Sequence, residues 1–257
     1  MAALILLPLI SAAVAASIRP DRPRRALLVA TAVLHALLTA WCWMSPPDFA
    51  PEAWLGLDAA GRLFLGITSL LFLAVSVYAV QSLGRKASGR QTEGETGAMF
   101  VNAPEAVFTA CLLAFLSTMT LVAASRHLGL LWVAVEATTL ATAPLIYFHR
   151  QARSLEATWK YLLVCSVGIA LALLGNFLLV IASAAADGSG GSLLVPELMA
   201  RGTQLRGPWL KAAFVFLLVG YGTKMGLVPM HTWLPDAHSE APSPASALLS
   251  GALLNCA

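Results

Sequence analysis

Long apolar stretches, separated by short polar segments, constrain the fold of this chain more than any other feature. Seven of them approach the ~20 residues that a helix needs to cross a bilayer, and an eighth begins near residue 244. They lie at residues 2–18, 26–44, 63–83, 104–125, 128–148, 157–185 and 208–238. Hydrophobic residues make up 58% of the 257 and charged residues only 11%, unlike a soluble domain. The sequence predicts an all-α polytopic transmembrane bundle with about seven full spans and the start of an eighth.

The two ends of the chain each allow more than one interpretation. The first apolar stretch resembles a signal peptide, but its basic residues follow it, as Arg19, Arg22, Arg24 and Arg25, so we expect a first spanning helix. The eighth stretch has about fourteen residues before Ala257, short of a crossing of ~30 Å at 1.5 Å per residue. We therefore expect the sequence to be part of a longer protein.

Basic residues between the apolar stretches predict the orientation, because cytoplasmic loops carry an excess of Lys and Arg. With the N-terminus outside, nine such residues fall on the inner side and five on the outer side. The inner set is Arg19, Arg22, Arg24, Arg25, Arg85, Lys86, Arg90, Arg150 and Arg153, and the outer set is Arg62, Arg126, Arg201, Arg206 and Lys211. We expect a multi-pass protein of a bacterial-type inner membrane with its N-terminus outside.

A net charge of +3 is too small to indicate nucleic-acid binding.

The cysteines and histidines do not form a pattern typical of metal sites. Cys42, Cys111, Cys165 and Cys256 each lie singly within an apolar run, so neither an iron–sulfur cluster nor a zinc site is predicted. His231 and His238 are seven residues apart, too far to share a metal ion unless the chain bends at Pro235. No flavin or quinone motif is visible, and we predict no cofactor and no metal.

Lys224 lies near the middle of the seventh stretch, where glycines and a proline interrupt the helical pattern. An ammonium at that depth is costly and usually marks an ion or proton path. Gly220, Gly222 and Gly226 permit unusual backbone shapes and close approach, and Pro229 removes a hydrogen-bond donor. These residues predict a discontinuous seventh helix that lines a cavity, and their spacing does not match a nucleotide-binding loop. The alternative is a flexible kink whose lysine reaches the membrane surface.

Four other side chains are candidates for a proton path with Lys224. Glu136 lies about eight residues, or ~12 Å, into its stretch and is its predicted partner, although a carboxyl hydrogen-bonded to a neighbouring helix is the alternative. Lys160 lies near the inner end of its stretch. It is either a relay for protons or a lysine whose side chain reaches the lipid headgroups. His231 and His238 follow the broken helix, and both can titrate near neutral pH.

At these residues the chain resembles the antiporter-like, proton-conducting membrane subunits shared by respiratory complex I, Mrp-type cation/proton antiporters and group 4 hydrogenases. The resemblance is strongest in LLWVAVEATTL (130–140), WKYL (159–162) and GTKMG (222–226) through HSEAPSP (238–244). The segment ASALLSG (245–251) is similar to the corresponding segment of the hydrogenase 4 or formate hydrogenlyase type subunit.

The resemblance implies a proton-translocating subunit of a redox-driven complex that is not itself redox-active. It implies that Glu136 pairs with Lys224 on the broken seventh helix and that Lys160 modulates this pair. It also implies N-terminal helices at 1–103 and an incomplete first five-helix repeat at 104–257. The implied partners are other membrane subunits, hydrophilic redox subunits, the lipid bilayer, and protons or sodium ions in their place.

Two observations leave other functions open. Asn255 stands where some relatives have the lysine of a central relay, and the second repeat is absent from the sequence. A stand-alone secondary transporter, an Mrp-type antiporter subunit and a scaffold without transport activity are the alternatives. In the favoured mechanism Lys224 keeps its proton while Glu136 is ionised nearby, and releases it when that charge is withdrawn, because burial disfavours an uncompensated ammonium.

Overall fold

The computed structural model describes residues 1–45, 49–50, 52–87, 105–184 and 190–256, with only the backbone at 85–87 and 256. Within these residues the chain forms ten α-helices and three short 3₁₀ turns. The α-helices are α1 (Ala2–Ser17), α2 (Asp21–Met44), α3 (Ala59–Ala87), α4 (Glu105–Ala124), α5 (Leu128–Ile146), α6 (Ala152–Ser183), α7 (Val195–Ala200), α8 (Gly207–Met225), α9 (Trp233–Glu240) and α10 (Ser243–Gly251). The 3₁₀ turns are Tyr147–His149, Gly202–Gln204 and Leu253–Cys256.

Five helices of the described part are long and apolar enough to cross a membrane, namely α2, α3, α4, α5 and α6. The predicted all-α transmembrane bundle is therefore confirmed. Helix α1 is apolar but has 16 residues, and α8 ends at the predicted break, so the count of seven full spans stays a prediction. The predicted boundary between residues 103 and 104 lies outside the described residues.

Helices α6 and α8 form the most extensive packing contact in the bundle, and they run antiparallel. Gly168 faces Thr223 at one end of the contact, and Gly175 faces Leu217 at the other. Between them, a Cβ on Gly220 would lie 2.6 Å from the Cβ of Ala172, well inside normal contact distance. Because glycine has no Cβ, α8 can lie directly against α6, and this fixes where the end of α8 falls.

Arg24 and Arg25, at the start of α2, bind neighbouring helices through hydrogen bonds. Both residues are also among those that predict the orientation. Arg24 is 4% exposed, and its guanidinium donates to the carbonyl oxygens of Ala15 and Arg19 at the end of α1. The Arg25 guanidinium makes two hydrogen bonds of 2.7 Å to the Glu105 carboxylate of α4. These contacts satisfy helix-end carbonyls and join α1, α2 and α4 at one end of the bundle.

A cluster of buried polar side chains joins α2, α3 and α4 near their middles. The His35 ring is fully buried, and its two nitrogens lie 2.9 Å from Thr120 Oγ1 and 3.0 Å from Ser69 Oγ. The hydroxyls of Ser69 and Thr39 are 2.9 Å apart. Buried polar groups are stable only when they are hydrogen-bonded, and these side chains satisfy one another.

Candidate functional site

The Lys224 side chain lies in the last turn of α8 and is fully buried. Its ammonium Nζ donates to Thr139 Oγ1 of α5 at 2.8 Å and to the Tyr161 hydroxyl of α6 at 2.7 Å. The ion pairs of the described residues do not include Lys224. The positive charge is therefore held by two hydroxyl oxygens and not by a carboxylate in direct contact.

Glu136 lies on the same side of α5 as Thr139, and the Thr139 hydroxyl lies between Glu136 and Lys224. Its Oε1 accepts a hydrogen bond of 2.9 Å from Ser166 Oγ of α6. Its Oε2 lies 3.4 Å from Thr139 Oγ1, and the same Oγ1 lies 3.4 Å from the Val135 carbonyl oxygen. The structure thus brings the predicted acid and base together with Thr139 between them. We call Glu136, Thr139, Tyr161, Ser166 and Lys224 the Lys224 cluster.

Tyr161 is held in place from two sides. Its hydroxyl lies 2.6 Å from Thr142 Oγ1 of α5, and its ring lies 5.1 Å from that of Trp233 of α9. The Trp233 indole donates in turn to the Thr223 carbonyl oxygen of α8 at 2.9 Å. Helices α5, α6, α8 and α9 therefore all contribute to the position of the lysine, so a shift of any one would alter its hydrogen bonds.

The helix break follows directly after Lys224. Helix α8 ends at Met225, and Gly226 adopts a left-handed conformation with φ of 80°. The Leu227 amide donates to the Gly222 carbonyl oxygen at 2.8 Å, a pattern typical of a glycine-terminated helix. Pro229 lies in the turn that follows, and the chain resumes as α9 at Trp233. This leaves Lys224 at a helix C-terminus, where the helix dipole favours a cation.

Lys160 lies apart from the Lys224 cluster, although it directly precedes Tyr161 in the sequence. Its side chain is 47% exposed and makes ion pairs of 2.8 Å with Glu156 and 2.9 Å with Asp236 of α9. These residues line an open pocket of about 210 Å³, together with Arg153, Ala157, Ser239 and Glu240. Lys160 therefore connects α6 to α9 at the surface, and its neighbour Tyr161 makes the contact to Lys224.

In the described part of the chain, the two histidines after the break are not hydrogen-bonded to the Lys224 cluster. His231 lies in the turn before α9, and its buried Nδ1 has no hydrogen-bond partner among the described residues. His238 lies on α9, with its Nδ1 2.8 Å from Ser246 Oγ of α10. Among the described residues, no group of His, Cys, Asp or Glu side chains is arranged to hold a metal ion.

The sequence interpretation missed the hydroxyl groups of the cluster. Thr139 lies three residues after Glu136, hence on the same face of the helix, and that spacing would have revealed it. Tyr161 and Ser166 gave no such signal, because only packing of α6 against α5 and α8 shows that they turn toward the site. The sequence also does not single out Asp236, which is an ion-pair partner of Lys160.

Residues 125–257 match the family model described as NADH:quinone oxidoreductase/Mrp antiporter, transmembrane. This match covers just over half of the chain, including every residue of the Lys224 cluster. The chain belongs to this family. The resemblance read from residues 130–140 and 222–244 is therefore confirmed.

Two relatives of this NADH:quinone oxidoreductase/Mrp antiporter family member show how much of a longer protein it matches. It is 46% identical over 145 residues to the hydrogenase-4 component F homolog of Methylacidiphilum infernorum, covering 56% of this chain and 30% of that protein. It is 36% identical over 198 residues to F(420)H(2) dehydrogenase subunit N of Methanosarcina mazei, covering 76% and 36%. The matched part thus spans about a third of each relative's length.

Three solved membrane complexes contain chains of the same fold as this family member. With a chain of the membrane-bound sulfane sulfur reductase, an archaeal respiratory complex, the TM-score is 0.80 at 20% identity, over 99% of this chain and 50% of that one. Respiratory complex I from Thermus thermophilus gives 0.76 at 24%, over 99% and 50%. The Mrp complex from Dietzia sp. gives 0.72 at 21%, over 97% and 45%. At these identities the likeness establishes the fold.

Proposed function

We propose that this chain is a proton-translocating part of a redox-driven membrane complex and that it moves protons through the Lys224 cluster. The observation that carries the proposal is the hydrogen-bonded row from Lys224 through Thr139 to Glu136. Burying an ammonium among membrane helices without a carboxylate in contact is costly, and such residues usually mark an ion or proton path. The hydrogen bonds from Lys224 through Thr139 to Glu136 give the proton a defined route.

The proposed transfer needs only small movements of hydrogen atoms. Lys224 Nζ gives a proton to Thr139 Oγ1 while Thr139 gives its own hydrogen to Glu136 Oε2, so the hydroxyl is restored and the charge has crossed ~6 Å. Lys224 is then neutral and Glu136 is a neutral acid, hydrogen-bonded to Ser166. The cluster resets when Glu136 releases its proton on one side and Lys224 takes up a proton from the other side. Tyr161 keeps the lysine aligned in both states.

The energy for this cycle would come from partner subunits. We propose that other membrane subunits and hydrophilic redox subunits of a hydrogenase 4-like or NADH:quinone oxidoreductase-like complex supply it. The proposal includes an incomplete first five-helix repeat at 104–257, preceded by N-terminal helices at 1–103, in a bacterial-type inner membrane with the N-terminus outside. A role as an Mrp-type subunit would use the same cluster with protons exchanged for sodium ions.

The test is to assemble the full-length protein in its complex with Lys224→Ala or Glu136→Gln and to measure redox turnover and proton movement together. Matched controls are Lys211→Ala, which removes an exposed lysine from α8, and Glu52→Gln, which neutralises an exposed glutamate. We expect each cluster variant to lower proton movement per redox turnover by about 100-fold, the scale of a lost acid–base group. If both variants assemble and move protons like the controls, the proposed function is wrong.

A further inference from the structure

Two buried polar groups near the Lys224 cluster, on α6 and α8, lack hydrogen-bond partners among the described residues. Asn176 of α6 is 1% exposed, and its Oδ1 has no partner among the described residues. The hydroxyl oxygen of Tyr221 on α8 is also buried without a partner. Polar atoms in such positions are rare and usually contact ordered water. Two of them in one place indicate a site that water occupies.

The two groups lie between the Lys224 cluster and one end of the bundle. Tyr221 precedes Lys224 by about one helical turn, and its phenol lies beside the Asn176 carboxamide. Helical side chains lean toward the N-terminus of their own helix, so Tyr221 leans away from the break and toward the level of Asn176. The Asn176 amide donates to the Leu128 carbonyl oxygen at 3.4 Å. The row therefore reaches the first residue of α5.

The side chains packed around Asn176 and Tyr221 are mostly apolar. Tyr221 packs against an apolar cluster formed by Val122, Ala134, Val135 and Ile169, as do Leu131 and Trp132. The Trp132 indole nitrogen is already used, since it donates to the Ile169 carbonyl oxygen at 2.7 Å. Among the described residues, Asn176 Oδ1 and the Tyr221 hydroxyl are the buried polar side-chain atoms of this region that have no partner. We call Leu128, Asn176 and Tyr221 the Asn176 row.

We propose that the Asn176 row binds a short file of water molecules and connects the Lys224 cluster to the end of the bundle where α5 begins. This inference rests on the proposed function. An amide and a phenol can each donate and accept hydrogen bonds without ionising near neutral pH, so they pass protons through water without holding the charge. The pocket at Lys160 and Asp236 lies toward the other end of α6, so the cluster has one ionic approach and one uncharged approach.

Radiolytic hydroxyl labelling tests the water directly, because the radicals form from water next to the side chain that they modify. The full-length protein in its complex, held in lipid nanodiscs, is exposed to X-rays and each tyrosine is quantified by mass spectrometry. The matched reference is Tyr78, which is 45% exposed on the apolar helix α3. We expect Tyr221 to be labelled several-fold faster than Tyr78, and Asn176→Leu to remove the difference. If Tyr221 is labelled no faster than Tyr78 in the parent protein, the row is dry and the inference is wrong.

Proton movement tests the connection, with Asn176→Leu and Tyr221→Phe as disrupting variants. Asn176→Ser keeps a small polar group at the same place, and Tyr78→Phe removes a phenol elsewhere. We expect about a tenfold loss of proton movement in the disrupting variants, the scale of a lost buried hydrogen bond, and near-parent values in the other two. Parent-like movement in Asn176→Leu, alongside a loss in Lys224→Ala, overturns the row alone. Parent-like movement in Lys224→Ala overturns the proposed function instead.

Discussion

Lys160 and Lys224 show how differently one residue type is accommodated in the two parts of the α6, α8 and α9 assembly. Lys160 is half exposed and has two carboxylates within 2.9 Å. Lys224 is fully buried, and its ammonium contacts two hydroxyls. The exposed lysine is thus neutralised directly, whereas the buried one reaches its acid only through Thr139. A direct ion pair fixes charges in place, and a hydroxyl between them leaves a route for the proton.

The largest effect should come from replacing Lys224 by methionine, which keeps the length of the side chain and removes its charge, with the same change at Lys160 for comparison. We expect Lys224→Met to lower proton movement by about 100-fold, because the proton-carrying nitrogen is lost. Lys160→Met should have only a slight effect, since Glu156 and Asp236 remain at the pocket. Simultaneous measurement of proton movement and redox turnover in the assembled complex checks both. An equal loss in the two variants would remove the distinction between the lysines.

The link through Thr139 can be removed without touching either charge. Thr139→Val has nearly the same shape and lacks the hydroxyl, so Lys224 loses an acceptor and its route to Glu136. We expect about a tenfold fall in proton movement, the scale of leaving one buried polar partner unsatisfied. Thr139→Ser should restore most of it.

The matched control for that variant is Thr118→Val on α4, where the hydroxyl donates to the Phe115 carbonyl oxygen of its own helix. It should behave like the parent protein. Normal proton movement in Thr139→Val would mean that Lys224 and Glu136 exchange protons by another route.

The burial of Lys224 depends on the close contact between α6 and α8, which Lys160 does not need. Gly220→Ala adds a methyl group 2.6 Å from Ala172, and we expect it to destabilise the protein by about 1–3 kcal/mol. Gly207→Ala on the same helix meets nothing within 4 Å and is the control. Thermal unfolding in detergent distinguishes them. Equal unfolding temperatures for the two variants would show that the contact is not tight.

The smallest effect should come from the exposed ion pair at Lys160. Asp236→Asn removes one of its two carboxylates, and surface pairs of this kind contribute little to stability. We expect a slight fall in the unfolding temperature at low salt that disappears at high salt, because ions screen exposed charges. Unfolding scans across a salt series check this. A large fall that persists at high salt would indicate that the pair is buried in the complex.

Much of the fold follows from the sequence, because the apolar stretches are long and the breaks between them are sharp. Helix α8 ends at Met225, directly before Gly226, within the glycine cluster that predicts a discontinuous helix. Other features depend on packing between distant segments. The contacts of Arg24 with the end of α1 and of Arg25 with Glu105 could not be read from loop charges.

The candidate site was only partly predictable. Glu136 and Lys224 stand out because charged residues are rare in apolar stretches. Thr139, Tyr161 and Ser166 do not stand out, because hydroxyl-bearing residues are common there and only the three-dimensional arrangement shows which of them face the charges. Asn176 and Tyr221 were missed for the same reason.

Infrared difference spectroscopy of the assembled complex during redox turnover tests the central claim most directly, because it detects protonation of a single carboxylate. The account predicts a carboxylic acid C=O band that appears with turnover, is absent in Glu136→Gln and shifts in Thr139→Val, since the hydroxyl bonded to the acid is then missing. A band that persists unchanged in Glu136→Gln would show that Glu136 takes up no proton and would contradict the account.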